Sequence, residues 1–88
     1  MALKKLEQDL ESLREALGRI PPDDQDTRAQ LQQHIEDIEK KLEHPDDEQH
    51  HHDLVEGLKE SIARFEADHP RATAILNDIM VTLSNMGI

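Results

Sequence analysis

The sequence predicts an all-α protein: an antiparallel helical hairpin plus a second helical pair, about four helices in one domain over residues 1–88. Three observations carry this. Apolar side chains recur at spacings of three and four, the period of one helix face, and no stretch alternates with the period of two that a strand needs. Pro21-Pro22, His44-Pro45 and His69-Pro70 cut the chain into four such stretches, because proline lacks an N–H and pushes the preceding residue out of the α region. Charged residues make up 34 % of the chain and aromatic ones 1 %, a composition of solvated helices around narrow seams.

The first helix is predicted over about residues 2–18. Leu3, Leu6, Leu10, Leu13 and Leu17 form a heptad-like, coiled-coil-type seam. Gly18 is expected to end it in the left-handed cap position, with Ile20 packing across the turn.

The second helix, about 24–43, opens on Asp23, Asp24 and Asp26, whose carboxylates accept from free N–H groups at a helix start. Leu31, Ile35, Ile38 and Leu42 form its seam. Glu36–Lys40 and Asp37–Lys41 are expected to pair on its outer face. The short connection makes the first two helices an antiparallel hairpin.

The third helix is predicted over about 46–67, with Pro45 or the neighbourhood of His52 as alternative starts. Val55, Leu58, Ile62 and Phe65 form its seam, beside Leu54. Gly57, inside it, reads either as close approach of another helix or as simple tolerance of a residue that costs about 1 kcal/mol against alanine.

The fourth helix, about 70–86, starts at a proline whose missing N–H has no partner to lose there. Ala72, Leu76, Ile79, Leu83 and Met86 form its seam, Ile75 and Met80 widen it, and Asn85 and Gly87 are expected to cap it. These seams are narrow for four helices, so a monomer is expected to be marginal. The broad apolar stripe of the fourth helix predicts a homodimer with a shared helical core. Phe65, Leu76, Ile79, Met80, Leu83 and Met86 are the expected interaction or dimer-core residues.

Charge excludes several functions. The chain has 20 acidic and 10 basic side chains, a net charge of −10 and a pI near 4.8. Such a chain is repelled by phosphate backbones and anionic membranes, so neither nucleic acid nor membrane is an expected partner. One aromatic residue supplies no base-stacking platform. The acidity is central: residues 21–45 carry three basic against seven acidic groups, and residues 46–69 two against eight, while residues 70–88 balance Arg71 with Asp78. With Arg71 as its only base, the last helix lacks the cationic edge of a membrane-surface helix. No apolar signal core follows Met1-Ala2-Leu3-Lys4-Lys5, so a cytoplasmic location is expected.

Chemistry has few candidates. The absence of cysteine removes thiolate catalysis and cysteine-bearing zinc sites. His50, His51 and His52, with His44 nearby, are the candidate metal ligands. Consecutive residues fan out by about 100° on a helix, so the three cannot share one ion without a loop. The adopted reading is a polar helix start or loop with no metal and no cofactor, His51 falling near the seam. His34 is expected to be a solvated helix residue, and His69 to cap a helix start or pack on Phe65. There is no nucleophile elbow and no phosphate-cradling glycine loop, and an enzyme is not expected.

The acids Asp46-Asp47-Glu48 and Asp53-Glu56-Glu60 read as a solvated face or as a mimic of nucleic-acid charge. The stretches Asp53-Leu54-Val55-Glu56-Gly57, Arg64-Phe65-Glu66-Ala67-Asp68-His69-Pro70 and Asn77-Asp78-Ile79-Met80 and the ending Leu83-Ser84-Asn85-Met86-Gly87-Ile88 resemble domain-of-unknown-function family 4404, a family of short bacterial proteins. The N-terminal half is similar in outline, with Leu13-Arg14-Glu15, Pro21-Pro22 and Arg28. The resemblance implies a short, mainly helical, non-secreted bacterial protein and brings no activity; the histidine run lies outside its pattern. The expected role is a self-associating structural or protein-interaction module. The alternatives are an acidic inhibitor of a nucleic-acid-binding protein and a metal-binding protein using His50–His52.

Overall fold

The structure, a computed structural model, describes residues 2–86. It contains α1 (Ala2–Arg19), α2 (Gln25–Glu43), α3 (Glu48–Phe65) and α4 (Pro70–Asn85), and no strand among the described residues. Each helix packs on the next, and α1 also packs on α4. The hairpin and the second pair are thus closed into one up-and-down bundle, 36 × 21 × 17 Å in extent. Connections of a few residues force the antiparallel order. One end of the bundle gathers the α1–α2 and α3–α4 turns; the other gathers the α2–α3 turn.

The core is Leu6, Leu10 and Leu13 of α1, Leu31, Ile35 and Ile38 of α2, Leu54, Leu58 and Phe65 of α3, and Ala72, Leu76, Ile79 and Leu83 of α4, closed by Ile20. Most of the predicted seams are there, with shifts. Leu3 lies outside at 39 % exposure, and Ala16 is buried in the first seam. In α3 the buried row is His51, Leu54, Leu58, Ser61 and Phe65. Val55 and Ile62 flank it, half-buried, because the seam runs one residue to the side of the expected one.

Helix ends follow their caps. Asp24 Oδ1 accepts from Thr27 N–H at 3.3 Å and starts α2. Asp47 Oδ1 accepts from His50 N–H at 3.0 Å, which places the start of α3 at Glu48, after a turn through Pro45 and Asp46. Helix α3 stops at Phe65, short of the expected residue 67.

Gly18 does not cap α1: the helix continues through Arg19. The job falls to Arg28, whose Nη1 donates to the carbonyls of Ile20 at 2.9 Å and Leu17 at 3.3 Å. Leu17 O also accepts from Ile20 N–H at 3.1 Å, so backbone and side chain close this turn together. A Cβ at Gly18 would meet nothing within 4 Å. Gly18→Ala should therefore stabilise the protein by about 0.5–1 kcal/mol, read as a higher urea midpoint; a lower midpoint would restore the left-handed cap. Gly87, the other expected cap, lies outside the described residues.

Polar groups fasten the helices where apolar ones do not. Asp9 on α1, 4 % exposed, accepts from Thr82 Oγ1 on α4 at 2.7 Å and from Lys5 Nζ at 2.6 Å. Arg14 bridges Glu11 to Glu39 of α2, an exposed arrangement that contributes little. The expected pairs Glu36–Lys40 and Asp37–Lys41 do not form: Gln32 donates to Glu36 and Gln33 to Asp37. Lys41 is fully buried and its Nζ donates to Pro45 O at 2.7 Å, tying the end of α2 to the following turn. Burial pushes its pKa below the ordinary value, against the pull of Asp46 and Asp47.

Among the described residues no helix is long and apolar enough to cross a membrane.

Candidate functional site

At the end of the bundle holding the α1–α2 and α3–α4 turns, three helix termini meet around His69. Its ring stands edge-on to Phe65, centroids 5.7 Å apart at 87°, a favoured aromatic arrangement. Its Nε2 lies 3.1 Å from Asp24 Oδ2 and 3.3 Å from Thr27 Oγ1. Asp24 thus uses one oxygen to cap α2 and the other to hold His69. His69 occupies the N-cap position of α4 without making a side-chain cap. Of its two expected roles, the structure has the packing on Phe65.

From this corner a groove runs along the seam between α2 and α3, which pack less closely than the other neighbouring pairs. It consists of two depressions of about 840 and 420 Å³ that share Gln30, Gln33 and Arg64. The first reaches Asp24, Phe65 and His69; the second reaches His34, Asp37, Gly57 and Ser61. The groove exists because α3 turns small residues toward α2. The missing Cβ of Gly57 would lie 3.7 Å from His34 Cε1, an ordinary contact. The neighbour at Gly57 is therefore a ring from α2, at a distance an alanine would also accept.

His34, expected to be solvated, is 4 % exposed. Its Nε2 lies 2.6 Å from Ser61 Oγ and its Nδ1 has no hydrogen-bond partner. Burial pushes its pKa down, and Asp37 offsets part of this. His51 is also buried with Nδ1 unpaired, and its pKa is lowered by burial, then by Lys41 and the flanking His50 and His52. Both folded pKa values lie below the unfolded value of 6.5, so the unfolded chain takes up protons first. The stability of the neutral forms is complete above about pH 6.5 and is lost as pH falls through the folded values. Between pH 7.5 and 5 the urea midpoint of the native chain should therefore fall more than that of the His34→Gln/His51→Gln variant. An equal fall in both would overturn the assignment.

The candidate metal ligands diverge. His50 Nε2 donates to Asp37 O at 2.8 Å, His51 turns into the core and His52 is exposed. Among the described residues no group of three or more His, Cys, Asp or Glu side chains stands together to hold an ion. His44 ends α2 and is exposed.

The residues expected to make an interaction or dimer core sit largely inside the single chain. Leu76, Ile79 and Leu83 are fully buried, Phe65 is 4 % exposed, and Met80 and Met86 pack half-buried against them. Val81, at 53 % exposure, is what α4 leaves outside. Asp46, Asp47 and Glu48 form an exposed turn and helix start, and Asp53, Glu56 and Glu60 lie exposed along α3. The groove residues His34, Gly57 and Ser61 escape an apolar-period reading, because two are polar and one has no side chain.

A family model described as a domain of unknown function, DUF4404, matches residues 6–88. No curated protein and no solved structure matches the chain.

Proposed function

We propose, since this chain belongs to the domain-of-unknown-function family DUF4404, that it is a cytoplasmic protein-interaction module that works by contact rather than by chemistry of its own. The observation that carries this reading is the open α2–α3 groove, a recess flanked by exposed carboxylates on a bundle whose large apolar side chains are otherwise mostly consumed in its own core. A small bundle with a closed apolar core and an unfilled groove presents a shaped surface. A second copy is one partner open to it, through Val81 and Leu3, the exposed large apolar residues among the described ones. The test is affinity capture from the source cell at low salt and at about 1 M salt, where charges are screened beyond about 3 Å. A reproducible stoichiometric partner, or light scattering that gives a dimer, supports the module. Neither, at near-native concentration, overturns it.

A second reading is an acidic inhibitor of a nucleic-acid-binding protein. It is favoured by Asp53, Glu56 and Glu60, exposed at helical spacing on α3. DNA that displaces the captured partner at low salt would support it; a partner indifferent to DNA would not.

A further inference from the structure

We propose that the α2–α3 groove is the docking site for a lysine- or arginine-bearing segment of a partner protein. This rests on the interaction-module reading above and names the chemistry of its partner.

The first support is charge complementarity. Asp24, Asp26, Asp37, Glu60 and Asp68 line the groove against a single guanidinium, Arg64. Asp24 is engaged by His69. The other four enter no ion pair among the described residues. Carboxylates lining one recess repel each other and raise the local concentration of cations. Along α2 they extend from Asp24 to Asp37, roughly 20 Å at 1.5 Å per residue. Charges so dispersed do not converge on one metal ion or one amine; they match a ligand with several cations spread along a chain.

The second support is the floor. His34 is buried to all but 4 %, and its ring forms part of the groove wall where Gly57 opens it. Nδ1 is without a partner. In the tautomer whose Nε2–H donates to Ser61, Nδ1 is a bare acceptor closed off from solvent, which a donor reaches only where a docked segment parts the groove wall. A buried polar atom left unpaired is costly, so a ligand that pairs it gains in affinity. Ala29, Gly57 and Phe65 add apolar wall between the carboxylates. A segment alternating basic and apolar side chains fits such a lining better than a bare polyamine does.

The probe is a fluorescein-labelled peptide of alternating lysine and leucine, about seven residues, because an extended chain covers about 3.3 Å per residue. Its anisotropy is followed with the full chain in about 0.05 M salt. The groove variant Asp26→Asn/Glu60→Gln/Asp68→Asn is compared with the charge-matched Glu7→Gln/Glu15→Gln/Glu43→Gln, all exposed outside the groove. A third variant, Gly57→Leu, fills the floor without changing charge, with its fold checked by circular dichroism. The groove triple and Gly57→Leu should each weaken binding about tenfold, and the control triple by less than about threefold. If Gly57→Leu fails to fold, the two triples decide alone. Equal weakening by both triples means attraction to net charge, and overturns the proposal. So does an absence of peptide binding, or spermine bound at the groove as tightly as the peptide. A salt-resistant captured partner together with no peptide binding would leave the interaction module standing and remove this inference alone.

Discussion

Replacing Phe65 by alanine is expected to cost about 3–5 kcal/mol of folding stability. Phe65 is the only aromatic side chain among Phe, Tyr and Trp in the chain, and it is 4 % exposed where α3 ends. Alanine there removes a ring's worth of buried surface and leaves a cavity between α2, α3 and α4 that the helix termini close only in part. It also removes the edge that His69 stands against. His69 would keep Asp24 and Thr27 as partners but lose its fixed orientation, so the corner should loosen as well as weaken. Small domains have about 5–15 kcal/mol of stability in total, and each kcal/mol lost lowers the melting temperature by about 4–8 °C. The variant should therefore melt at least about 12 °C below the native chain. Phe65→Leu, which keeps most of the volume, should cost less than half as much. A loss under about 1 kcal/mol for the alanine variant would mean that the ring supports nothing behind it, and would make Phe65 a surface contact instead.

How far the sequence makes this legible depends on what carries the signal. The helices and their breaks are written in leucine spacing and in three proline steps, and these are local. Helix α3 is harder, because two of its five inward positions are His51 and Ser61. An apolar-period reading passes over them and tilts the seam toward Val55 and Ile62. The same blindness hides His34, Asp9, Thr82 and Lys41, each buried because a partner on another element satisfies part of its polarity: Ser61, Thr82, Asp9 and Pro45 respectively. The His34–Ser61 and Asp9–Thr82 partners lie 27 and 73 residues apart in sequence, and nothing local announces them. Gly18 misleads for a related reason. Glycine near a helix end usually signals the cap, but here Arg28 reaches back to the Leu17 and Ile20 carbonyls and the helix runs on past Gly18. The groove is invisible for the opposite reason, since it is defined by what Gly57 and Ser61 do not fill.

Leu76→Ala should cost about 2.7–5.0 kcal/mol, and the difference from the native chain should be the same at any protein concentration. The size follows from burial: Leu76 is fully enclosed, on the same face of α4 as Ile79 and Leu83. Deleting three carbons there removes their transfer energy and opens a cavity, and the upper part of the range applies if the helices cannot collapse into it. The independence of concentration follows from where the neighbours lie. Helix α4 packs on α1 and α3 of its own chain, so the packing that alanine removes is intramolecular. Were Leu76 part of a core shared between two chains, its truncation would weaken association as well. A variant too weakened to associate would then fall further behind the native chain as concentration rises, because only the native chain would gain stability by mass action. Urea unfolding of both proteins across a hundredfold range of concentration reads this directly. Val81→Asp is the companion measurement. Val81 is 53 % exposed on the outer face of the same helix, so in a monomer the change should stay within about 0.5 kcal/mol. A dimer joined through that outer face would show the reverse pattern: a constant cost for Leu76→Ala, and a concentration-dependent loss for Val81→Asp.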